Sequence, residues 1–420
     1  MNLRIPGPTP LPPEVLAAVG QQMINHRGKA FEELFAEVTA SLKIFFETKG
    51  DVFLMTSSGT GGMETAIVNT CSPGDRVLAV SCGAFGDRFA NIAAAYGADL
   101  CRLSYPLGKA ADPDEIAVKL REEGPFKAVL LTQNETSTGV TNDVEAVAKV
   151  IHAADPSPLL LVDAISGLGG IRCQSDAWGV DAVITGSQKA WMSPPGLAMV
   201  SFGERAWGAY QTAKMPRFYF DLGEAKKYGL RNQTPATPNV AALYGLGAAL
   251  RLMVAEGVVG CAARHREIGE YCRAGARRIG LRLFADPAHF SNTVTSITLP
   301  DGFSAKAVLA TLLDQFGNAK AVERAIERAI PNLDKIKALR ERLGRIEAEL
   351  EAVAKGRAKL IDRLDRGTIE EAEREMIENV FEFNNMTAAE CMTHRTDMYA
   401  IWTQDTREEI VALIDQTGLS

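Results

Sequence analysis

Between residues 51 and 184 the chain alternates short apolar runs with amphipathic stretches. The apolar runs over 51–56, 76–81, 99–104, 127–132, 158–162 and 180–184 predict strands. Helical spacing predicts helices over 63–69, 87–96, 113–122 and 143–154, with Asp112 as an N-cap. Two more helices, over 14–23 and 31–47, precede the first strand. Strands that are apolar on both faces and separated by helices form a mostly parallel sheet with helices on both sides, an α/β fold. In such sheets ligands bind beyond the carboxyl ends of the strands.

The residues at those ends change the picture. Ser57-Ser58-Gly59-Thr60-Gly61-Gly62 joins the first strand to a helix. It is either a tight turn or a phosphate cup, in which glycine lets the backbone approach an anion and the helix start donates N–H groups. Its spacing matches neither a Walker loop nor a dinucleotide fingerprint. Gly83-Ala84-Phe85-Gly86, Asn134-Glu135-Thr136-Ser137-Thr138-Gly139 and Asp163-Ala164-Ile165-Ser166 follow later strands, and Ser187-Gln188-Lys189-Ala190 follows the last. An acid after four apolar residues, Leu159 to Val162, is partly buried; it is either a cap or the partner of a cation. A lysine at the end of a buried strand has a depressed pKa, and its neutral amine can condense with an aldehyde. Phosphate cup, stacking aromatic, ring-facing acid and aldehyde-binding lysine together point to pyridoxal phosphate.

Composition narrows the class. With 420 residues, 46% hydrophobic and 23% charged, the chain has a globular make-up and room for two or three domains. A net charge of -7 argues against a nucleic-acid-binding face, and no long apolar run predicts a membrane span. The seven cysteines and five histidines show no metal-ligand spacing, so no metal site is expected. Scattered cysteines without a leader pattern predict reduced thiols in a cytoplasmic protein.

Residues 3 to about 317 resemble the class V aminotransferases of fold-type I pyridoxal-phosphate enzymes, in the alanine–glyoxylate and serine–glyoxylate group. The resemblance rests on Gly7-Pro8-Thr9-Pro10, His26-Arg27, Ser58-Gly59-Thr60-Gly61, Phe85-Gly86-Asp87-Arg88, Glu135-Thr136-Ser137-Thr138-Gly139, Asp163-Ala164-Ile165-Ser166, Ser187-Gln188-Lys189 and Thr234-Pro235, in that order. It implies that Lys189 bonds the cofactor aldehyde and carries the substrate Cα proton, and that Asp163 faces the ring nitrogen. Phe85 stacks on the ring where relatives often carry tryptophan, and Thr136 bonds the phenolic oxygen. Ser58, Gly59, Thr60, Ile165 and Gln188 complete the cofactor contacts. Thr234 reaches the phosphate of a neighbouring subunit, which implies a homodimer, and Gly7 borders the substrate. The implied activity moves an amino group from serine or alanine to glyoxylate or pyruvate.

Beyond residue 317 the chain departs from the family. The late R-x-G-H-type segment, whose arginine holds the substrate carboxylate, is missing, and Arg4, Arg27 and Arg231 are the candidate replacements. Leu339, Leu343, Ile346, Leu350, Val353, Leu360 and Leu364 instead follow a coiled-coil seam, with Arg357 at its one polar position. The stretch from Ile330 to Ile369 loosely resembles the coiled-coil region of large serine recombinases. The expected organisation is an extended segment over 1–20, a cofactor-binding large domain over 21–255, a partial small domain over 256–317 and an atypical helical region over 318–420. A cofactor-binding protein with impaired transamination, its helical tail serving assembly, is the alternative function. A cysteine desulfurase ranks below both, since Phe85 stands where that class has a histidine.

Overall fold

The computed structural model describes residues 5–300, 302–305 and 308, all inside one compact unit, Met1–Pro331. The expected coiled-coil seam, the recombinase-like stretch and Arg4 lie outside the described residues.

The strands are β1 (Asp51–Met55), β2 (Arg76–Ser81), β3 (Asp99–Ser104), β4 (Ala128–Thr132), the two-residue pair β5 (Asn134–Glu135) and β6 (Val140–Thr141), β7 (Leu159–Asp163), β8 (Ala182–Gly186) and β9 (Ala198–Phe202). Seven of them form one sheet in the order β1-β9-β8-β7-β4-β2-β3. β9 runs antiparallel to both its neighbours, and the other pairings are parallel. The helices are α1 (Pro13–Val19), α2 (Lys29–Phe46), α3 (Gly59–Thr70), α4 (Ala84–Ala95), α5 (Pro113–Glu123), α6 (Val144–His152), α7 (Ser175–Trp178), α8 (Glu204–Tyr210), α9 (Leu222–Gly229), α10 (Val240–Glu256) and α11 (Val258–Arg278). A small pair, β10 (Arg282–Leu283) and β11 (Ile297–Thr298), follows.

The period-2 geometry of strands sorts the core into two halves. Leu78, Val80, Val129, Leu131, Leu160 and Val162 face one side, against Phe31, Phe35, Val38, Leu42 and Phe45 of α2 and the apolar faces of α5, α6 and α10. Val77, Ala79, Ala128, Leu130, Leu159 and Leu161 face the other, against Met63, Ile67 and Phe89 of α3 and α4. Both faces are covered, which is why these strands read as continuous apolar runs.

The caps follow side-chain chemistry. Asp112 accepts from Asp114 N (2.9 Å), as expected, and Asp143 accepts from Ala146 N (2.9 Å). Some boundaries differ from expectation. The first helix ends at Val19, where Gly20 N closes onto Leu16 O (3.3 Å). α3 begins at Gly59, four residues early, and α4 at Ala84, so both small-residue loops are first helical turns. Of the seven cysteines, Cys71, Cys82, Cys101, Cys173, Cys261 and Cys272 are described, and all are free thiols.

Candidate active site

The carboxyl ends of β1, β2, β4, β7 and β8 bring the expected residues to one rim. β8 stops at Gly186, which pairs with Ala198 at the start of β9, so Lys189 sits on the excursion between two adjacent strands. Trp191 anchors that excursion. Its ring is fully buried against Phe45 and Phe46 (centroids 5.7 and 6.2 Å), and its Nε1 donates to Thr185 Oγ1 (2.9 Å). The opening segment closes over the lysine from outside. Thr9 N donates to Gln188 O and Thr9 Oγ1 to Lys189 O, both at 3.0 Å, and Lys189 Nζ donates to Pro6 O (3.0 Å). Gly7 has φ +149° and lies so close that a Cβ there would stand 2.7 Å from Lys189 Cδ. Partial burial lowers the lysine's pKa, opposed by the charge of Asp163.

Asp163 is the last residue of β7 and 2% exposed. Its Oδ1 accepts from Ile165 N (2.9 Å), and its Oδ2 lies 3.5 Å from the Thr132 hydroxyl. Burial pushes the carboxyl up to about 7, and the nearby charge of Glu135 adds to this. The Ile165 N–H, the Thr132 hydroxyl and the Arg88 cation oppose it. An acid this deeply buried, with so few donors, is suited to a cationic N–H partner.

Two helices start at this rim, and their N-termini differ. In α3 the first intrahelical bond runs from Gly62 N to Ser58 O (3.3 Å), and Ser58 provides no side-chain cap. The N–H groups of Gly59, Thr60 and Gly61 precede that bond and point at the rim, an arrangement that binds phosphate. Gly59 packs closely, since a Cβ there would stand 2.6 Å from Ile165 Cδ1 and force that side chain to shift. In α4 the same groups are satisfied within the chain. Ala84 N donates to Ser137 Oγ (3.1 Å), and Phe85 N and Gly86 N donate to Glu135 Oε2 (3.0 and 3.1 Å). An anion is therefore received by α3, not α4.

The remaining expected residues fall as follows. Phe85 is half-buried, with the Arg88 guanidinium over its ring at 4.8 Å. Thr136 is half-buried in the turn between β5 and β6. Gln188 Oε1 is buried without a hydrogen-bond partner among the described residues, a cost of about 1–3 kcal/mol unless a ligand or water meets the amide. Thr234 is 8% exposed and its hydroxyl bonds Ala236 O (2.8 Å). Its loop is held by Arg27, which donates to Thr234 O (2.5 Å) and Pro235 O (3.2 Å). Arg27 and Arg231, the two described candidates for the substrate arginine, each lie 5.2 Å from the Tyr228 ring centre. A hollow of about 550 Å³ also lies here, lined by Phe53, Met55, Tyr219, Tyr228, Leu230 and Thr234. It is not the chemical site, because it lacks both Lys189 and Asp163.

Sequence reasoning gave no role to Thr132, Trp191, Arg88 or Glu135. Glu135 carries no local signal, because it sits in the polar stretch Thr132 to Thr138. The residues present fit pyridoxal phosphate: uncapped helix N–H groups for its phosphate, and a buried acid in the electrostatic range of a partly buried amine.

Comparison with known proteins agrees. The profile of the family described as aminotransferase class-V matches residues 1–320. The chain is 40% identical over 321 residues to a protein named soluble hydrogenase, small subunit, from Synechococcus sp. (strain PCC 6716), covering 76% of this chain and 83% of that one. It is 39% identical over 319 residues to the L-aspartate–glyoxylate aminotransferase of Paracoccus denitrificans (strain Pd 1222), covering 75% and 81%. The crystal structure of an alanine–glyoxylate aminotransferase from Nostoc sp. superposes with a TM-score of 0.72 at 31% identity, covering 77% of this chain and 94% of that one. The matched profile, the sheet order and the amine–acid pair beyond its carboxyl edge lead to one conclusion: the chain belongs to the class V aminotransferases, enzymes of the fold-type I group whose cofactor is pyridoxal phosphate.

Proposed function

We propose that this aminotransferase moves the amino group of a small amino acid, serine or alanine, to a 2-oxo acid such as glyoxylate or pyruvate. The observation that carries the reading is the placement of Lys189, just after β8, and the buried Asp163, at the end of β7, beyond the same carboxyl edge of the sheet. Glyoxylate occurs in the names of both aminotransferases above, while their named donors differ, so the acceptor is the better supported half. The hydrogenase name belongs to the cyanobacterial relative; the residues gathered here are those of amine chemistry.

When bound, pyridoxal phosphate supplies an aldehyde for an amine and a cationic ring that draws electrons from the substrate's Cα. The chain's own residues do the rest. Gly59, Thr60 and Gln188 hold the phosphate, with Ser58 and Ile165 shaping the cup. Asp163 holds the proton on the ring nitrogen. Phe85 and Thr136 fix the ring's face and its phenolic oxygen. Lys189 would hold the aldehyde carbon through Nζ, with water as the leaving group, and would carry the proton to and from Cα. Pro6 and Gly7 border the substrate side of the lysine.

The experiment is an absorbance spectrum of the purified protein with pyridoxal phosphate, before and after L-serine or L-alanine, followed by glyoxylate. Bleaching of the visible band by the donor and its return with the acceptor is the expected result. A band inert to every small amino acid replaces this reading with the binding-only alternative. That alternative is favoured by one observation: Arg27, a candidate for the substrate arginine, donates to the backbone of the loop carrying Thr234.

The active unit in this proposal is a homodimer, with Thr234 of each copy reaching the phosphate of the other. Support comes from the surface around that loop, where Phe218 is 95%, Leu230 82% and Tyr219 47% exposed. Apolar side chains so exposed and so close together mark a protein-binding face. Sedimentation at micromolar concentration is expected to give twice the chain mass; a monomer that still transaminates overturns the dimer.

A further inference from the structure

We infer that Glu135 is a positioning residue for the cofactor ring, clamping the turn that bears Phe85 to the turn that bears Thr136. The inference rests on the proposed roles of those two residues. Glu135 is fully buried, with 0% exposure, at the end of the short pair beyond β4. A buried carboxylate costs several kcal/mol unless its lone pairs are met. Here four donors meet them. Oε2 accepts from Phe85 N (3.0 Å) and Gly86 N (3.1 Å), and Oε1 from Ser137 N (3.0 Å) and Ser137 Oγ (2.6 Å). Ser137 Oγ accepts in turn from Ala84 N (3.1 Å).

The two turns leave neighbouring strands, β2 and β4, whose ladder ends at Val80 and Leu131, so a contact beyond the sheet has to fix one turn against the other. The carboxylate does so, and it does so with charge-assisted bonds, the stronger kind. It lies at the positive end of α4, where an anion is favoured. Phe85 follows directly after the first capped N–H, so its backbone cannot rotate without breaking the Oε2 bonds. Thr136 stands between Glu135 and Ser137, both ends of the Oε1 bridge. A ring gripped between a stacking phenyl group and a threonine hydroxyl is aligned only as well as those two are aligned with each other. A misplacement of about 1 Å can cost on the order of a hundredfold in rate.

The test compares Glu135→Gln and Ser137→Ala with wild type, all loaded with pyridoxal phosphate. Glu135→Gln keeps the shape but loses the charge and presents one amide N–H₂ toward a donor. The visible band is expected to remain, since Lys189 is intact. Visible circular dichroism of the bound cofactor, which reports ring orientation, is expected to fall severalfold. kcat is expected to fall tenfold to a hundredfold with the donor KM within about twofold. Ser137→Ala is expected to move the same readouts less, and it keeps the test decidable if Glu135→Gln fails to fold. Wild-type dichroism and kcat in the folded variants, with only a lowered melting temperature, would make Glu135 a helix cap alone and overturn the inference. Absence of the visible band in wild type would instead overturn the cofactor assignments beneath it.

Discussion

Lys189→Ala protein loaded with pyridoxal phosphate and then dialysed is expected to retain no visible band, and its transamination rate to fall by about 10⁴ or more. Both losses trace to one atom. Nζ is the only amine that the excursion between β8 and β9 presents beside Asp163, and it serves as covalent anchor and proton carrier. Stability should change little. The Lys189 side chain makes one hydrogen bond, to Pro6 O, while Trp191 and the Thr9 bonds to the backbone hold the excursion without it. A loss of about 1 kcal/mol is the scale for that bond. Lys189→Arg keeps the cation but cannot condense with an aldehyde, so it should be as inactive as alanine. A dialysed alanine variant that keeps the band would place the covalent link on another lysine.

Asp163→Asn should have opposite effects on the cofactor-free and cofactor-loaded protein. In the cofactor-free chain the folded carboxyl titrates at about 7 against an ordinary value of 3.8, because burial disfavours its charge. Between those values the folded state holds a proton that the unfolded chain has released. Stability therefore falls as pH rises through that window, and the loss is complete above the folded value. Asparagine has nothing to titrate and can still accept from Ile165 N. The variant should match wild type near pH 4 and melt several degrees higher at pH 8. With cofactor bound, the ionised acid faces a ring cation that asparagine cannot neutralise. Activity should then fall by about 10²–10³, and the stabilisation given by pyridoxal phosphate should shrink. Melting curves at both pH values, with and without cofactor, check the sign. A variant less stable than wild type at pH 8 without cofactor would show that the buried charge is already compensated.

The fold was legible where a local pattern carried it. The apolar runs of β2, β4, β7 and β8 are buried on both faces, so sequence alone marks them, and the polar residue after each run falls at the rim. β9 was not marked. Ala198–Phe202 is as apolar as its neighbours, but its direction is set by pairing with β1 and β8, which no local signal states. The starts of α3 and α4 were placed late, because glycines and threonine at 59–62 and glycine at 83 and 86 read as loop. Glycine is a poor helix former, yet here close packing against Ile165 overrides propensity. Lys189 and Asp163 were legible as chemically odd residues at strand ends. Glu135 was not, since its meaning lies in N–H groups of a helix that begins fifty positions earlier in the chain. The contacts of Arg27 were hidden for the same reason: its partners, Thr234 O and Pro235 O, lie about two hundred positions later in the chain.

The register of the sheet also sets an order of assembly. Gly186 meets Ala198 across a short excursion, so the lysine's support is a near-local hairpin. Thr132 meets Asp163 across a helix and a small turn, at intermediate separation. Met55, which leads into the phosphate cup, meets Ala198 across most of the domain. Loop-closure entropy makes the last of these the slowest to form. A refolding chain thus acquires its amine early and its phosphate cradle late, and capture of pyridoxal phosphate becomes a kinetic marker for docking of the final edge strand.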